Sequence, residues 1–161
     1  MTEYYGQGCG RGAGSLRGED MFGKSSKIAL LQKVPLFRDL SRKQLDQIAR
    51  LADELEVREG KRLATAGDTG LELFVIVDGH ARVKIRGGRT ARLGPGEFFG
   101  EMSLLDGGPR SATVDAESGM RLLVVGRRGF WALLESAPPL VLKMMRTLSR
   151  RVRDAEAAVS A

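Results

Sequence analysis

Cysteine and histidine are nearly absent. The 161 residues hold one of each, Cys9 and His80. A lone cysteine excludes an intrachain disulfide framework and a Cys-rich zinc site, and a lone histidine excludes a multi-histidine metal centre. The same scarcity argues against catalysis. Metal-dependent chemistry needs clustered His and carboxylate ligands, and His80 has no Cys or Ser motif around it from which a nucleophilic triad could be built. His80 directly follows Gly79, in a predicted surface turn. Long apolar runs are missing too: none exceeds five residues, as in Leu73 to Val77, far short of a membrane span. The N-terminus has no basic-then-apolar signal pattern, so the expected compartment is the cytoplasm, with no membrane insertion.

What the chain does have is a modest basic excess, a formal net charge of +6. It is spread thinly: residues 1–26 are neutral, 27–129 carry +4 and 130–161 carry +2. That distribution reads as solvated surface rather than a nucleic-acid stripe. Residues 1–26 contain seven glycines between Gly6 and Gly23 and no apolar periodicity, so burial cannot offset their ordering entropy. They are expected to form a disordered Gly-rich tail carrying Tyr4, Tyr5 and Cys9 as spectators, with Met21 as a possible internal start.

A domain is expected over 27–161. Helical spacing opens it: a short helix over 26–33, then Pro35, Leu36 and Phe37. Ser41 and Gln44 next form a capping box ahead of Leu45, Ile48, Ala49 and Ala52, which predicts a helix over 41–52. From 53 to 126 the period drops to two. Glycine turns at Gly60, Gly67, Gly79, Gly87–Gly88, Gly96 and Gly107–Gly108 separate short strands predicted at 55–57, 62–64, 71–77, 81–86, 91–93, 111–116 and 121–125. Arg86, Gly87, Gly88 and Arg89 make a hairpin signal. Such strands argue for a mainly β fold, an antiparallel β-roll or jelly roll with flanking helices. Helical spacing returns after 127, in Phe130, Leu133 and Leu134. After Pro138 and Pro139 a last helix carries Leu140, Val141, Met144, Met145, Leu148 and Val152, and these two helices span 127–158. Both methionines are expected to pack in the core.

One stretch breaks the pattern of a quiet roll, Phe98 to Val114. Glu101 sits among apolar residues in what reads as a single helical turn beginning at Gly100, and a carboxylate there is costly without a partner. Arg110 follows nine residues later, between Pro109 and the small Ser111 and Ala112. An arginine fork matches a phosphate bidentately, helix-turn amides suit an anion, and a carboxylate accepts from sugar hydroxyls. Together these groups suit one phosphate joined to one ribose. The competing reading is an internal Glu101–Arg110 ion pair in a roll that binds nothing.

On Phe99-Gly-Glu-Met-Ser-Leu-Leu, Pro109-Arg-Ser-Ala-Thr-Val, Leu93-Gly-Pro-Gly-Glu-Phe-Phe and the spaced glycine turns, the chain resembles the cyclic nucleotide-binding domain family. The family is shared by catabolite activators, protein kinase regulatory subunits and nucleotide-gated channels. The likeness covers about 34 to 152. It implies no cofactor and no catalysis, but a ligand: cyclic AMP, with cyclic GMP as the alternative. It implies that Glu101 accepts from the ribose 2′-hydroxyl and that Arg110 pairs with the cyclic phosphate. Gly100, Met102, Ser103, Ser111 and Ala112 would complete the cradle. Ser111 leans toward cyclic AMP. Ala155, where the catabolite activators place a base-contacting threonine, departs from the pattern. The last helix is expected to close over the base, hinged between Phe130 and Pro139, with Arg150 or Arg153 as lid contacts or as a solvated basic face. The expected partner is an effector protein or a second copy met through that helix. With the chain ending at Ala161, no recognition helix follows, so no specific nucleic acid is expected.

Overall fold

The computed structural model describes residues 27–85 and 87–160. The expected tail with its Cys9 and Met21, Ser26 of the first predicted helix, and Arg86 of the predicted hairpin lie outside these residues. Helix α1 covers 27–33. A 3-10 turn at Pro35–Phe37 leads to α2 (Arg42–Leu51). The strands are β1 (Ala52–Val57), β2 (Arg62–Ala64), β3 (Glu72–Asp78), β4 (Ala81–Ile85), β5 (Thr90–Leu93), β6 (Phe98–Phe99), β7 (Ala112–Ala116) and β8 (Met120–Gly126). A short helix α3 (Glu101–Asp106) lies between β6 and β7, and α4 (Arg127–Ser136) and α5 (Pro138–Ser160) close the chain. Two antiparallel sheets form the β-roll, in the orders β1-β8-β3-β6 and β2-β7-β4-β5.

The apolar run Leu73–Val77 is explained by position. β3 pairs with both β8 and β6, and its sheet is covered on both faces, which favours an unbroken apolar strand over an alternating one. Leu73, Val75 and Val77 join Leu123 and Val125 of β8 against the helices. Phe74 and Ile76 join Leu122, Val124, Met120 and Phe99 in the space between the sheets. Strand β6 was not anticipated. Two residues carry no period, and only the pairings Phe74↔Phe99 and Val75↔Phe98 define it. β1 starts at Ala52 rather than 55, because α2 runs directly into it and its register with β8 extends over Ala52↔Val125 to Val57↔Met120.

The capping box forms. The Gln44 amide donates to Ser41 Oγ at 3.2 Å and the Ser41 amide donates to Gln44 Oε1 at 2.9 Å. Gln44 Nε2 also donates to the Ser136 carbonyl at 3.2 Å, joining the start of α2 to the end of α4. Ser41→Ala is expected to cost about 1 kcal/mol in chemical denaturation.

Helix α5 is tied to the N-terminal segment by Lys143, whose ammonium donates to Asp39 Oδ2 at 2.8 Å and to the Pro35 carbonyl at 2.9 Å. The Lys143 hydrogen bond, and then its charge, hold the Asp39 carboxyl below the usual carboxylate range. A depressed acid pKa means the pairing favours the fold above the ordinary value and weakens as pH falls through the lowered one. Met144 is buried against the roll as expected, but Met145 is 60% exposed, because consecutive residues on a helix point about 100° apart. Among the described residues no helix is long and apolar enough to cross a membrane.

Candidate functional site

Strand β6 delivers the chain to Gly100, which turns it into α3. Gly100 has φ +94°, a region that L side chains rarely adopt. A Cβ there would lie 2.5 Å from Arg110 Nη1 and 2.6 Å from the Glu72 carbonyl oxygen. Gly70 also lies against this side chain, where a Cβ would lie 2.5 Å from Ser103 Cβ and 2.8 Å from Arg110 Nε. Two glycines therefore let the backbone approach the guanidinium closely, one at Nη1 and one at Nε.

Arg110 is 5% exposed. Its Nη1 donates to the Glu72 carbonyl at 3.1 Å and to the Gly100 carbonyl at 3.3 Å, and its Nη2 donates to Glu72 Oε2 at 3.2 Å. The guanidinium carbon lies 5.7 Å from the centre of the Phe74 ring. That ring stacks on Phe99 at 4.8 Å with 12° between planes. Backbone bonds fix the base of the side chain: the Arg110 amide donates to the Asp68 carbonyl at 2.7 Å and the Gly67 amide donates to the Arg110 carbonyl at 2.8 Å. A buried charge with a carboxylate partner and carbonyl acceptors meets the condition for keeping a guanidinium out of water.

Glu101 is 3% exposed, and its partner is not Arg110. Arg151 of α5 reaches across, with Nη1 donating to Glu101 Oε1 at 3.0 Å. Arg151 Nη2 also donates to the Phe98 carbonyl, and its guanidinium carbon lies 4.8 Å from the Phe98 ring centre. The expected alternative of an internal Glu101–Arg110 pair is therefore corrected: each charge is balanced by a different residue. Arg150 and Arg153 are exposed, and the arginine of α5 that reaches Glu101 is Arg151, which follows Leu140 and Met144 along the inward face of α5. Arg151→Ala would leave a buried carboxylate without this donor, so a loss of about 1–3 kcal/mol in denaturation is expected.

The other predicted residues spread over the same turn. Ser103 is buried beside Gly70, and Met102 is exposed. Ser111, also exposed, donates its hydroxyl to Met102 Sδ at 3.5 Å, while Gly100 and Ala112 are half-buried. Ala155 lies exposed, beyond the Arg151 contact. His80 is half-buried, and its amide donates to Ser118 Oγ at 3.0 Å. Among the described residues no group of three or more His, Cys, Asp or Glu side chains is placed to hold a metal ion.

Glu72 and Arg151 are the site residues that the sequence reading passed over. Glu72 reads as the polar lead of an apolar strand, and nothing in its neighbourhood points 38 residues ahead to Arg110. Arg151 was recoverable. It lies at +7 from Met144 and +11 from Leu140, one continuing helical stripe.

A protein-family model described as "Cyclic nucleotide-binding domain" matches residues 54–137. The cyclic AMP receptor protein of Thermus thermophilus is 35% identical over 127 residues, covering 76% of this chain and 59% of that protein. A cyclic nucleotide-gated potassium channel of Mesorhizobium japonicum is 36% identical over 129 residues, covering 80% of this chain and 36% of the channel. The crystal structure of the Thermus thermophilus catabolite activator protein superposes with a TM-score of 0.68 at 34% identity, covering 78% of this chain and 62% of that one. The chain thus spans less than two thirds of the length of each of these relatives.

Proposed function

Because the chain belongs to the cyclic nucleotide-binding domain family, we propose that it binds a cyclic nucleotide, cyclic AMP in preference to cyclic GMP, and works as a ligand-controlled switch. One observation carries this reading. Two opposite charges, Glu101 and Arg110, are buried on either side of the Gly100 turn and are neutralised by different partners. A pair that satisfied itself would offer a ligand nothing. Kept apart, the guanidinium is a fork for a phosphate and the carboxylate an acceptor for a sugar hydroxyl. The name of the Thermus relative, a cyclic AMP receptor protein, and the small Ser111 support cyclic AMP.

The switch follows from what each side chain already holds. A phosphate on Arg110 competes with the Glu72 carboxylate. A ribose hydroxyl on Glu101 competes with, or shares, the Arg151 bond that ties α5 to the start of α3. Ligand occupancy therefore changes the free energy of the α5 contact, which is what a population shift requires. The signal leaves through α5, to an effector protein or to a second copy. Calorimetric titration with cyclic AMP and cyclic GMP tests the reading: micromolar or tighter binding, stronger for cyclic AMP, is the expected result. Absence of heat with both would leave the roll as a ligand-free interaction module.

A further inference from the structure

Among the described residues the second sheet ends in a strand with no neighbour on its outer side. β5 stands last in the order β2-β7-β4-β5, and Thr90, Ala91 and Arg92 are exposed. The Ile85 amide donates to the Arg89 carbonyl at 2.8 Å. From that bond, the alternation of an antiparallel ladder makes Val83↔Ala91 and Ala81↔Leu93 the pairs that exchange both hydrogen bonds. Thr90 and Arg92 are then the residues whose amide and carbonyl groups point away from β4, toward the free edge. Such an edge is a template for another strand.

The charged side chains of β4 and β5 themselves, Arg82, Lys84 and Arg92, are all basic. Register sets Arg82 of β4 directly opposite Arg92 of β5, a like-charge pairing that weakens a ladder. Both lean on the same carboxylate, Arg82 Nη2 at 3.5 Å from Glu117 Oε1 and Arg92 Nε at 3.0 Å from Glu117 Oε2. Asp115, opposite Arg82 in the register with β7, is engaged first by Arg62, at 2.8 and 3.3 Å, and Arg62, then Lys84 and Arg82 by charge alone, hold its carboxyl below the usual range. Arg82, Lys84 and Arg92, three cations to the one Glu117 carboxylate, line a groove of about 400 Å³ with Thr90.

We propose that this groove and the β5 edge form a docking site for an extended acidic peptide segment of a partner protein, added to the sheet as a further strand. The backbone decides the chemistry. An outward amide followed by an outward carbonyl needs a partner that both accepts and donates, which a polypeptide strand does and a phosphate polymer does not. The cationic row asks for carboxylates at alternate positions, on the face shared with Arg92. A second copy of the same edge is excluded by bringing two such rows together.

The test uses the full chain and a short synthetic peptide alternating Glu and Val, with a Lys/Val peptide as control, followed by amide shifts in NMR and by calorimetry. The acidic peptide is expected to shift the Thr90 and Arg92 amides and to bind more weakly as salt rises. Arg92→Glu should weaken it about tenfold or more. Thr90→Pro removes an outward amide while taking no bond from β4, so it should weaken binding about as much and leave the melting temperature near that of the parent. Equal binding of the Lys/Val peptide, or full binding by Thr90→Pro, overturns the proposal. So does displacement of the peptide from these amides by polyphosphate or by anionic vesicles at lower concentration.

Discussion

Arg110→Ala is expected to lose about 2–5 kcal/mol of cyclic AMP binding, a weakening of roughly thirty-fold to several thousand-fold in calorimetric titration. The loss has two sources that can be separated. The phosphate loses its bidentate partner, and Glu72, left beside Gly100 without the guanidinium, becomes a poorly compensated carboxylate in a largely buried place. Adding Glu72→Gln removes that second burden. The double variant is therefore expected to regain denaturation stability and to stay unable to bind. Arg110→Lys keeps a charge but not the planar fork, so it should fall between the parent and alanine. Parent-like affinity in the double variant would sink the assignment of Arg110 to the phosphate.

Gly100→Ala is the second large effect, about 2–4 kcal/mol in chemical denaturation. Part is intrinsic, since φ is +94° at this position and a Cβ is disfavoured there whatever surrounds it. The rest is local: the new methyl would press on Arg110 Nη1 and on the Glu72 carbonyl, so the guanidinium must move from its seat above Phe74. Binding and stability should fall together. Gly67→Ala is the control, because Gly67 also has a positive φ, +90°, but a Cβ there would meet nothing within 4 Å. It should lose the conformational part and keep affinity.

The β-roll was readable because its strands announce themselves locally. Alternation, glycine turns and the Ser41–Gln44 box each act within a few residues, and the structure puts elements near all of them. The two-residue β6 was not readable, since it exists only through its pairing with Phe74 and Val75 of β3. The same limit governs the site. Glu101 and Arg110 stood out as charges in apolar company, a local signal. Their partners are set by contacts 50 and 38 residues apart in the chain, which no periodicity encodes. Arg151 is the instructive case: among Arg146, Arg150, Arg151 and Arg153 the basic face looked uniform. The distinction lay in the apolar stripe of Leu140 and Met144, which points one arginine inward and leaves Arg150 and Arg153 in solvent.

The junction of α4 and α5 has a mechanical consequence. Pro138 and Pro139 occupy the first turn of α5 behind the fully buried Ala137. Lacking amide hydrogens, they prevent α4 and α5 from fusing into one continuous rod. Were α5 to swing as a rigid arm about Ala137, then at about 1.5 Å per residue Arg151 would sit roughly 21 Å from the pivot and Lys143 roughly 9 Å. A tilt of about 10° would carry the Arg151 end some ~4 Å, enough to break its bond to Glu101, but the Lys143 end by less than about 2 Å. In such a swing leverage would part the Arg151–Glu101 contact first and the Asp39 tether last, so the arm would release the site while remaining attached to the body that holds it.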